Sequence, residues 1–194
     1  MAVDISSLGA QTTQPLDLSI YPEARKRSGL PRAGTYTVQA PEVFTEESFR
    51  TAASSGNLSA RVDPTIIGPS NEGYNIRYVN VSATVYQTRD GKDTSQIGQY
   101  LQAFGVKEEL TGDPQQAANL VTETAGKTAQ VYADWVAEHR PTGYKLRGMK
   151  NFPTDAAGAP QPWVEHPDET VVDAEGNRLR LRANLEVRRW IPAE

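Results

Sequence analysis

The chain has 194 residues, and 20 lysines and arginines against 24 aspartates and glutamates give it a net charge of −4 at neutral pH. It contains no cysteine, which excludes disulfides, thiolate nucleophiles and cysteine-based metal centres. It has no run of about eighteen apolar residues and no signal-peptide pattern at its start, so we expect a cytoplasmic protein that does not enter a membrane.

Residues 1–33 are predicted to form a flexible N-terminal arm. This segment is rich in Ser, Thr, Gln and Pro and has no sustained period of 2 or 3.6. It therefore offers too few regularly placed apolar residues to offset the entropy lost on ordering. Residues 34–194 are predicted to form a single β-rich domain.

Alternating apolar residues predict the first strands. Tyr36, Val38 and Ala40 share one face of a strand that Pro41 ends, and residues 58–62 alternate in the same way. The intervening segment fits either a short helix ending at Gly56 or an irregular excursion. The longest alternation, over residues 74–86, predicts a strand with valines on one face and Tyr78 and Tyr86 at the two ends of the other.

Two short amphipathic helices are predicted next, because capping residues flank periodic apolar positions. Thr94 or Ser95 caps the first helix and Gly105 ends it, while Asp113 caps the second and Gly126 ends it. The apolar stripes that should pack against the sheet are Ile97, Tyr100, Leu101 and Phe104 in the first helix and Ala117, Leu120, Val121 and Thr124 in the second.

The C-terminal third contains two predicted strands on either side of a long loop. Residues 128–136 alternate, residues 139–177 are rich in Gly and Pro, and residues 178–190 alternate again. Strands outnumber helices and no parallel βαβ rhythm is present. We therefore predict an α+β fold, mainly antiparallel β, in the form of a small OB-like, partly open barrel with a short helical insertion and the N-terminal arm.

The candidate binding residues are basic and aromatic. Arginines at alternate positions of the last strand would project at roughly 6.6 Å intervals, close to the spacing of phosphates in an extended single strand, and exposed rings are platforms for stacked bases. An arginine-rich face is equally typical of an edge that resists aggregation. The candidates on strands are Arg178, Arg180, Arg182, Arg188, Trp190, Tyr78 and Tyr86, and those in the long loop are Tyr144, Lys145, Arg147 and Lys150.

Motifs for catalysis are lacking. Gly126, Lys127 and Thr128 match the end of a phosphate-binding loop, but they follow a helix and precede a strand, the reverse of the required order. His139 and His166 have no partner at a metal-binding spacing. We therefore expect a non-enzymatic protein without a metal or other cofactor.

The order of segments resembles that of phage-encoded, OB-like single-stranded-DNA-binding proteins and their uncharacterised relatives. The resemblance spans roughly residues 30–190 and lies in LPRAGTYTV, GYNIRYVNVSATVYQTRDGKDTSQIGQYLQAFGV, VYADW, MKNFP and RANLEVRRW. It implies that the partner is single-stranded DNA or RNA, that the role is in phage replication or recombination, and that the location is the cytoplasm of the host cell.

A second hypothesis belongs to a different class of function. Arms and long loops also suit a phage virion structural or assembly protein, in which residues 1–33 and 139–177 would contact other subunits in a homo-oligomer. Its location would then be the virion.

Overall fold

The structure, a computed structural model, describes residues 30–52, 55–68, 70–88 and 90–193. Most of the predicted arm, residues 1–29, lies outside these ranges. The described residues form eleven strands and two α-helices, and every pairing between strands is antiparallel. The fold is the predicted small α+β, OB-like fold, in which the largest sheet curls into a half-barrel.

The largest sheet contains six strands. They are β1 Gly34–Gln39, β4 Thr65–Gly68, β8 Thr128–His139, β9 Tyr144–Met149, β10 Trp163–Glu165 and β11 Arg180–Ile191. Their order is β10-β11-β8-β1-β4, and β9 pairs with the second half of β8 beside β1. Long β8 and β11 form the centre of the sheet and pair along most of their lengths.

Two smaller sheets complete the strands. β2 (Phe49–Thr51), β3 (Leu58–Arg61) and β5 (Asn80–Ser82) form one, and β6 (Tyr86–Gln87) and β7 (Asp93–Thr94) form a hairpin. Residues 74–79 connect the small and large sheets: the Val62 amide donates to Val79 O at 2.8 Å, and the Ile66 amide donates to Tyr74 O at 2.9 Å. The chain from β3 to β4 therefore bends from one sheet into the other.

Both helices begin at the predicted caps; the first ends just before Gly105, as predicted, whereas the second ends at Thr122, four residues before Gly126. α1 spans Gln96–Ala103 and its Ser95 cap accepts the Gly98 amide, while α2 spans Pro114–Thr122 and its Asp113 cap accepts two amides of the first turn. The glycines that follow, Gly105 and Gly126, have φ of +73° and +67°, values that an L-residue rarely adopts. Within the described residues, neither helix has the length and apolar character that a membrane crossing requires.

The core lies between the large sheet, β3, β5 and the helices. Both predicted helix stripes are buried, including Phe104 and Thr124. A smaller cluster of Ala137, Leu179 and Leu181 lies beneath β9 and β10. The helices thus pack on the sheet, as predicted.

The prediction of a regular strand over residues 74–86 is wrong. Within it only Asn80–Ser82 and Tyr86 are strand residues, and Val85, expected in the core, is 66% exposed. Hydrogen bonds from β3 and β4 divide residues 74–79 between two sheets, and Tyr78 has φ +64°. Tertiary pairing thus overrides the local period.

Other differences lie in segments that the sequence leaves irregular. Between residues 41 and 57 the sequence fits either a short helix ending at Gly56 or an irregular excursion. The structure has a single 3-10 turn at residues 46–48, followed by β2, and no helix that reaches Gly56 among the described residues. β4 was not predicted. The predicted loop 139–177 contains β9 and β10, and within it Val172 forms an isolated antiparallel bridge to Arg178. The segment therefore contributes two strands to the large sheet and is otherwise made of turns and irregular backbone.

Candidate nucleic-acid interface

An open groove of about 1170 Å³ lies between residues 71–78 and residues 182–185 of β11. Trp135 and Phe152 line its inner part, with ring centres 4.9 Å apart in an edge-to-face arrangement. The groove lies where the barrel is open: β10 pairs with β11 only over Arg180–Arg182, and the Ala183 amide donates to Pro162 O at 2.8 Å. Beyond this point β8 is the only strand paired with β11 in the described part of the chain.

Hydrogen bonds fix the segment that precedes β1 at the groove wall. Trp135 Nε1 donates to Pro31 O at 2.7 Å, the Ala33 amide donates to Lys150 O at 2.8 Å, and the Tyr36 hydroxyl donates to Arg32 O. The backbone of Arg32 is therefore held on both sides, and its exposed side chain contributes to the groove lining.

The groove lining is basic. Arg32, Arg77 and Arg182 line it together with one carboxylate residue, Glu72. None of the three arginines forms an ion pair with a carboxylate of the residues that the structure describes. Because no described carboxylate pairs with them, these guanidinium groups are suited to anionic ligands.

Aromatic rings accompany these arginines. Tyr74 is half-buried and Tyr78 is 46% exposed at the groove edge. Burial raises the pKa of Tyr74, with a smaller opposing effect from Arg77, so its hydroxyl is neutral at physiological pH. The guanidinium carbons of Arg140 and Arg61 lie 4.6 and 5.2 Å from the centre of the Tyr78 ring. The groove thus combines aromatic rings with arginines that form no ion pair within the described ranges.

Of the eleven candidate residues, the structure brings Arg182 and Tyr78 to this groove. Arg178 lies elsewhere: its guanidinium donates to His166 O at 2.7 Å and forms ion pairs with Glu165 and Glu169. Arg180 lies over the Trp163 ring at 5.6 Å. The three arginines keep the predicted alternation with buried Leu179 and Leu181, but their environments differ, and of the three Arg182 alone lines the groove.

The position predicted for Trp190 is wrong. The pairing of β11 with β8 shifts register between Val187 and Arg189, and this irregularity turns Trp190 to the opposite face. Its side chain is 7% exposed, and its ring centre lies 4.9 Å from the ring centre of Tyr100 and 5.8 Å from that of Phe104. Trp190 is a core residue that holds α1 against β11.

Lys145 and Arg188 belong to a cluster on the outer face of β8, β9 and β11, which we call the outer charge cluster. Lys145 Nζ lies 3.1 Å from Glu138 and 2.7 Å from Glu186, and Arg188 lies 3.5 Å from Asp134 and 3.8 Å from Glu186. These basic side chains are neutralised by carboxylates of neighbouring strands, so they are poor candidates for phosphate contacts.

The cluster perturbs three pKa values. Burial acts to raise the pKa of Glu138, but hydrogen bonds and charge from Lys145 and Arg140 outweigh it and leave the pKa low. Burial acts to lower the pKa of Lys145, but hydrogen bonds and charge from Glu186 and Glu138 outweigh this effect and raise the pKa. Burial raises the pKa of Asp134 despite the opposing charge of Arg188.

The remaining candidates lie outside the groove lining. The Tyr86 hydroxyl accepts a hydrogen bond from Gln99 at 2.7 Å, and the Tyr144 ring centre lies 4.2 Å from that of His166. Arg147 and Lys150 are exposed and form no ion pair with another described residue.

The candidates predicted from the sequence do not include Arg32, Arg77 and Tyr74, which line the groove. Arg32 was assigned to the arm, and Arg77 would have pointed into the apolar face of a regular 74–86 strand. In the structure, Ile76 is buried and its amide donates to Pro64 O, which leaves Arg77 exposed. The one signal for this arrangement is the clustering of Tyr, Asn and Arg in residues 74–78.

The motifs rejected from the sequence have structural roles. His166 is buried, and its Nδ1 accepts the Asp168 amide at 3.1 Å. Gly126, Lys127 and Thr128 connect α2 to β8. No group of three or more potential ligands for a metal ion occurs in the described ranges.

A family model described as "Protein of unknown function (DUF669)" matches residues 24–162, more than half of the chain. The match covers β1 to β9 and the groove wall formed by residues 71–78, and β10 and β11 lie beyond it. No curated protein and no solved structure gives a significant match.

Proposed function

The chain belongs to the DUF669 family of proteins of unknown function, and we propose that it is a non-enzymatic protein that binds single-stranded DNA or RNA in the groove beside β11. The observation that carries the proposal is the combination of Arg32, Arg77 and Arg182 with exposed or half-buried rings on one open surface. Cations that follow a phosphate backbone and rings on which bases stack are the two requirements of sequence-tolerant single-strand binding.

The position of the groove supports the same class of ligand. It follows the open side of a partly open, OB-like barrel and is bordered by loop residues on one side and a strand on the other. A single strand can lie along such a surface with its bases turned toward the rings, whereas the bases of a duplex are stacked on one another and unavailable. The net charge of −4 does not oppose binding, because a local basic surface attracts phosphate independently of the total.

A role in phage replication or recombination stays a prediction based on the resemblance of the segments. The alternative, a virion subunit, rests on the arm, residues 1–33, of which 1–29 lie outside the described ranges, and on residues 139–177, which carry β9 and β10. No contact of the described residues favours this alternative.

A titration of oligo-dT with the full chain at several salt concentrations tests the proposal. Wild-type protein is expected to bind with an affinity that falls as salt increases, because phosphate contacts release counterions. Replacing Arg32, Arg77 and Arg182 together with Gln should make the log–log salt slope shallower by about 0.7 per lost contact, roughly two in all.

Arg182 and Arg180 provide a matched pair on one strand. Arg182→Gln should weaken binding and reduce the salt slope by about 0.7, whereas Arg180→Gln should leave the slope nearly unchanged, because Arg180 lies over Trp163 outside the groove. Equal effects of the two substitutions would favour the continuous arginine row over the groove. Absence of salt-dependent binding by the wild type would refute the proposal and favour the virion alternative.

A further inference from the structure

We propose that Tyr78 is the residue by which the groove selects polymers with unstacked bases, and that Asp63 is a positioning residue that acts through it. The inference rests on the proposed function and narrows its ligand class: single strands that carry bases, as distinct from polyanions without bases. It is based on the backbone conformation of Tyr78, the contacts that hold it and the exposure of its ring.

Tyr78 adopts a conformation that a bulky residue rarely occupies. Its φ is +64°, and among described non-glycine residues only Asn71 shares a positive φ. Asn tolerates this region because its short side chain bonds to nearby backbone, whereas a tyrosine there is strained. Such strain persists only where the surroundings fix the residue, and it is common at ligand-binding sites.

Adjacent residues 62 and 63, which follow β3, fix the backbone next to Tyr78. The amide of Val79 donates to Asp63 Oδ1 at 2.8 Å, and the carbonyl of Val79 accepts the Val62 amide at 2.8 Å. Asp63 also forms a 2.6 Å ion pair with Arg61, one of the two arginines beside the Tyr78 ring. One carboxylate therefore holds both the backbone next to Tyr78 and a guanidinium group against its ring.

The chemistry of this arrangement suits a base with its flanking phosphates. Tyr78 is 46% exposed at the groove edge, so part of its ring is available for stacking. Arg77 precedes it and lines the same groove, which places a cation for the phosphate next to a platform for the base. A strand without bases would meet the arginines but would gain nothing from the ring.

Two probes separate these contributions: oligo-dT and an abasic deoxyribose-phosphate strand of the same length. Tyr78→Ala and Tyr78→Gly should each weaken oligo-dT binding by about 5- to 150-fold, the range expected for one lost base stack, and leave binding of the abasic strand unchanged. Tyr86→Ala is the matched control, because Tyr86 is 43% exposed but lies outside the groove; it should affect neither probe.

A thermal melt tests the strain without any ligand. Both Tyr78 variants lack the ring, but only glycine tolerates the positive φ, so Tyr78→Gly should melt about 2 to 4 °C above Tyr78→Ala. Asp63→Ala should reduce the preference for oligo-dT over the abasic strand. Asp63→Asn keeps an oxygen that can accept the Val79 amide, so it should recover most of that preference.

The possible results are distinguishable. Equal wild-type affinity for the two probes, or an unchanged preference in the Tyr78 variants, would overturn the inference and leave the groove as a general polyanion site. A melting temperature of Tyr78→Gly at or below that of Tyr78→Ala would overturn the strain argument. Failure of the wild type to bind either probe would overturn the proposed function, and this inference with it.

Discussion

Arg182 and Arg188 lie on the same strand, β11, in opposite surroundings. Arg182 lines the groove and forms no ion pair with another described residue, whereas Arg188 lies 3.5 Å from Asp134 and 3.8 Å from Glu186. The same contrast separates the groove arginines from the outer charge cluster as a whole. Arg182 and Arg188 are the same residue type on one strand, and the side chains around them make the difference.

The contrast shows that a basic residue is a candidate for binding phosphate only when its charge is not already neutralised. Lys145 takes one partner, Glu138, from adjoining β8 and the other, Glu186, from β11 at a sequence separation of 41, so its neutralisation depends on strand pairing. The groove arginines come from three separate segments and meet only in the fold. The outer cluster is therefore expected to serve stability, and the groove to serve binding.

The largest expected effect concerns a residue that belongs to neither group. Trp190→Ala should lower the free energy of unfolding by about 3 to 5 kcal/mol, because it removes a buried ring packed on Tyr100 and Phe104. Urea denaturation followed by circular dichroism measures the loss. The control is Trp163→Ala, which removes an exposed indole and should cost much less.

A small loss for Trp190→Ala, together with weaker binding of oligo-dT by a folded protein, would contradict this assignment. Such a result would place Trp190 on the exposed face that the alternation of residues 178–190 predicts.

Alternation, capping and glycine placement were sufficient to predict β1, β3, both helices and the central strands of the large sheet. These elements follow from local chemistry: Ser95 and Asp113 cap helices through their own neighbours. The site was harder to predict, because the register shift in β11 and the division of residues 74–79 between two sheets depend on pairing with distant strands. The period of 2 therefore assigned Trp190 and Arg77 to the wrong faces.

A smaller effect is expected from the outer charge cluster. Lys145→Gln should destabilise the fold by about 1 to 2 kcal/mol, because Glu138 and Glu186 are left without their shared cation. The pKa of Glu138 lies below its ordinary value of 4.5, so its stabilisation is present above pH 4.5 and is lost as the pH falls through the lower value. The difference between wild type and variant should therefore shrink in acid.

The matched control for this cluster is Lys150→Gln, a charge removal at an exposed position of the same basic segment, which should change stability by less than about 0.5 kcal/mol. Neither substitution should alter the salt slope for oligo-dT as Arg182→Gln does. A shallower slope for Lys145→Gln would place the outer cluster in the binding surface and break the contrast between the two regions.

The smallest expected effect concerns Asp134, and it tests whether each charge in the outer charge cluster stabilises the fold. Asp134 is buried, its Oδ1 accepts no hydrogen bond from the described residues, and burial raises its pKa above the ordinary 3.8. A carboxyl group with a raised pKa in the folded state favours folding below its unfolded pKa, and that contribution is lost as the pH rises through the folded value. Asp134→Asn should therefore raise the free energy of unfolding at pH 7 by up to about 1 kcal/mol, and the gain should vanish near pH 3, where the wild-type carboxyl is also neutral. Melting curves of both proteins at the two pH values measure this. A variant less stable than wild type at pH 7 would mean that the attraction of Arg188 outweighs the burial of Asp134, and that every charge on the outer face stabilises the fold.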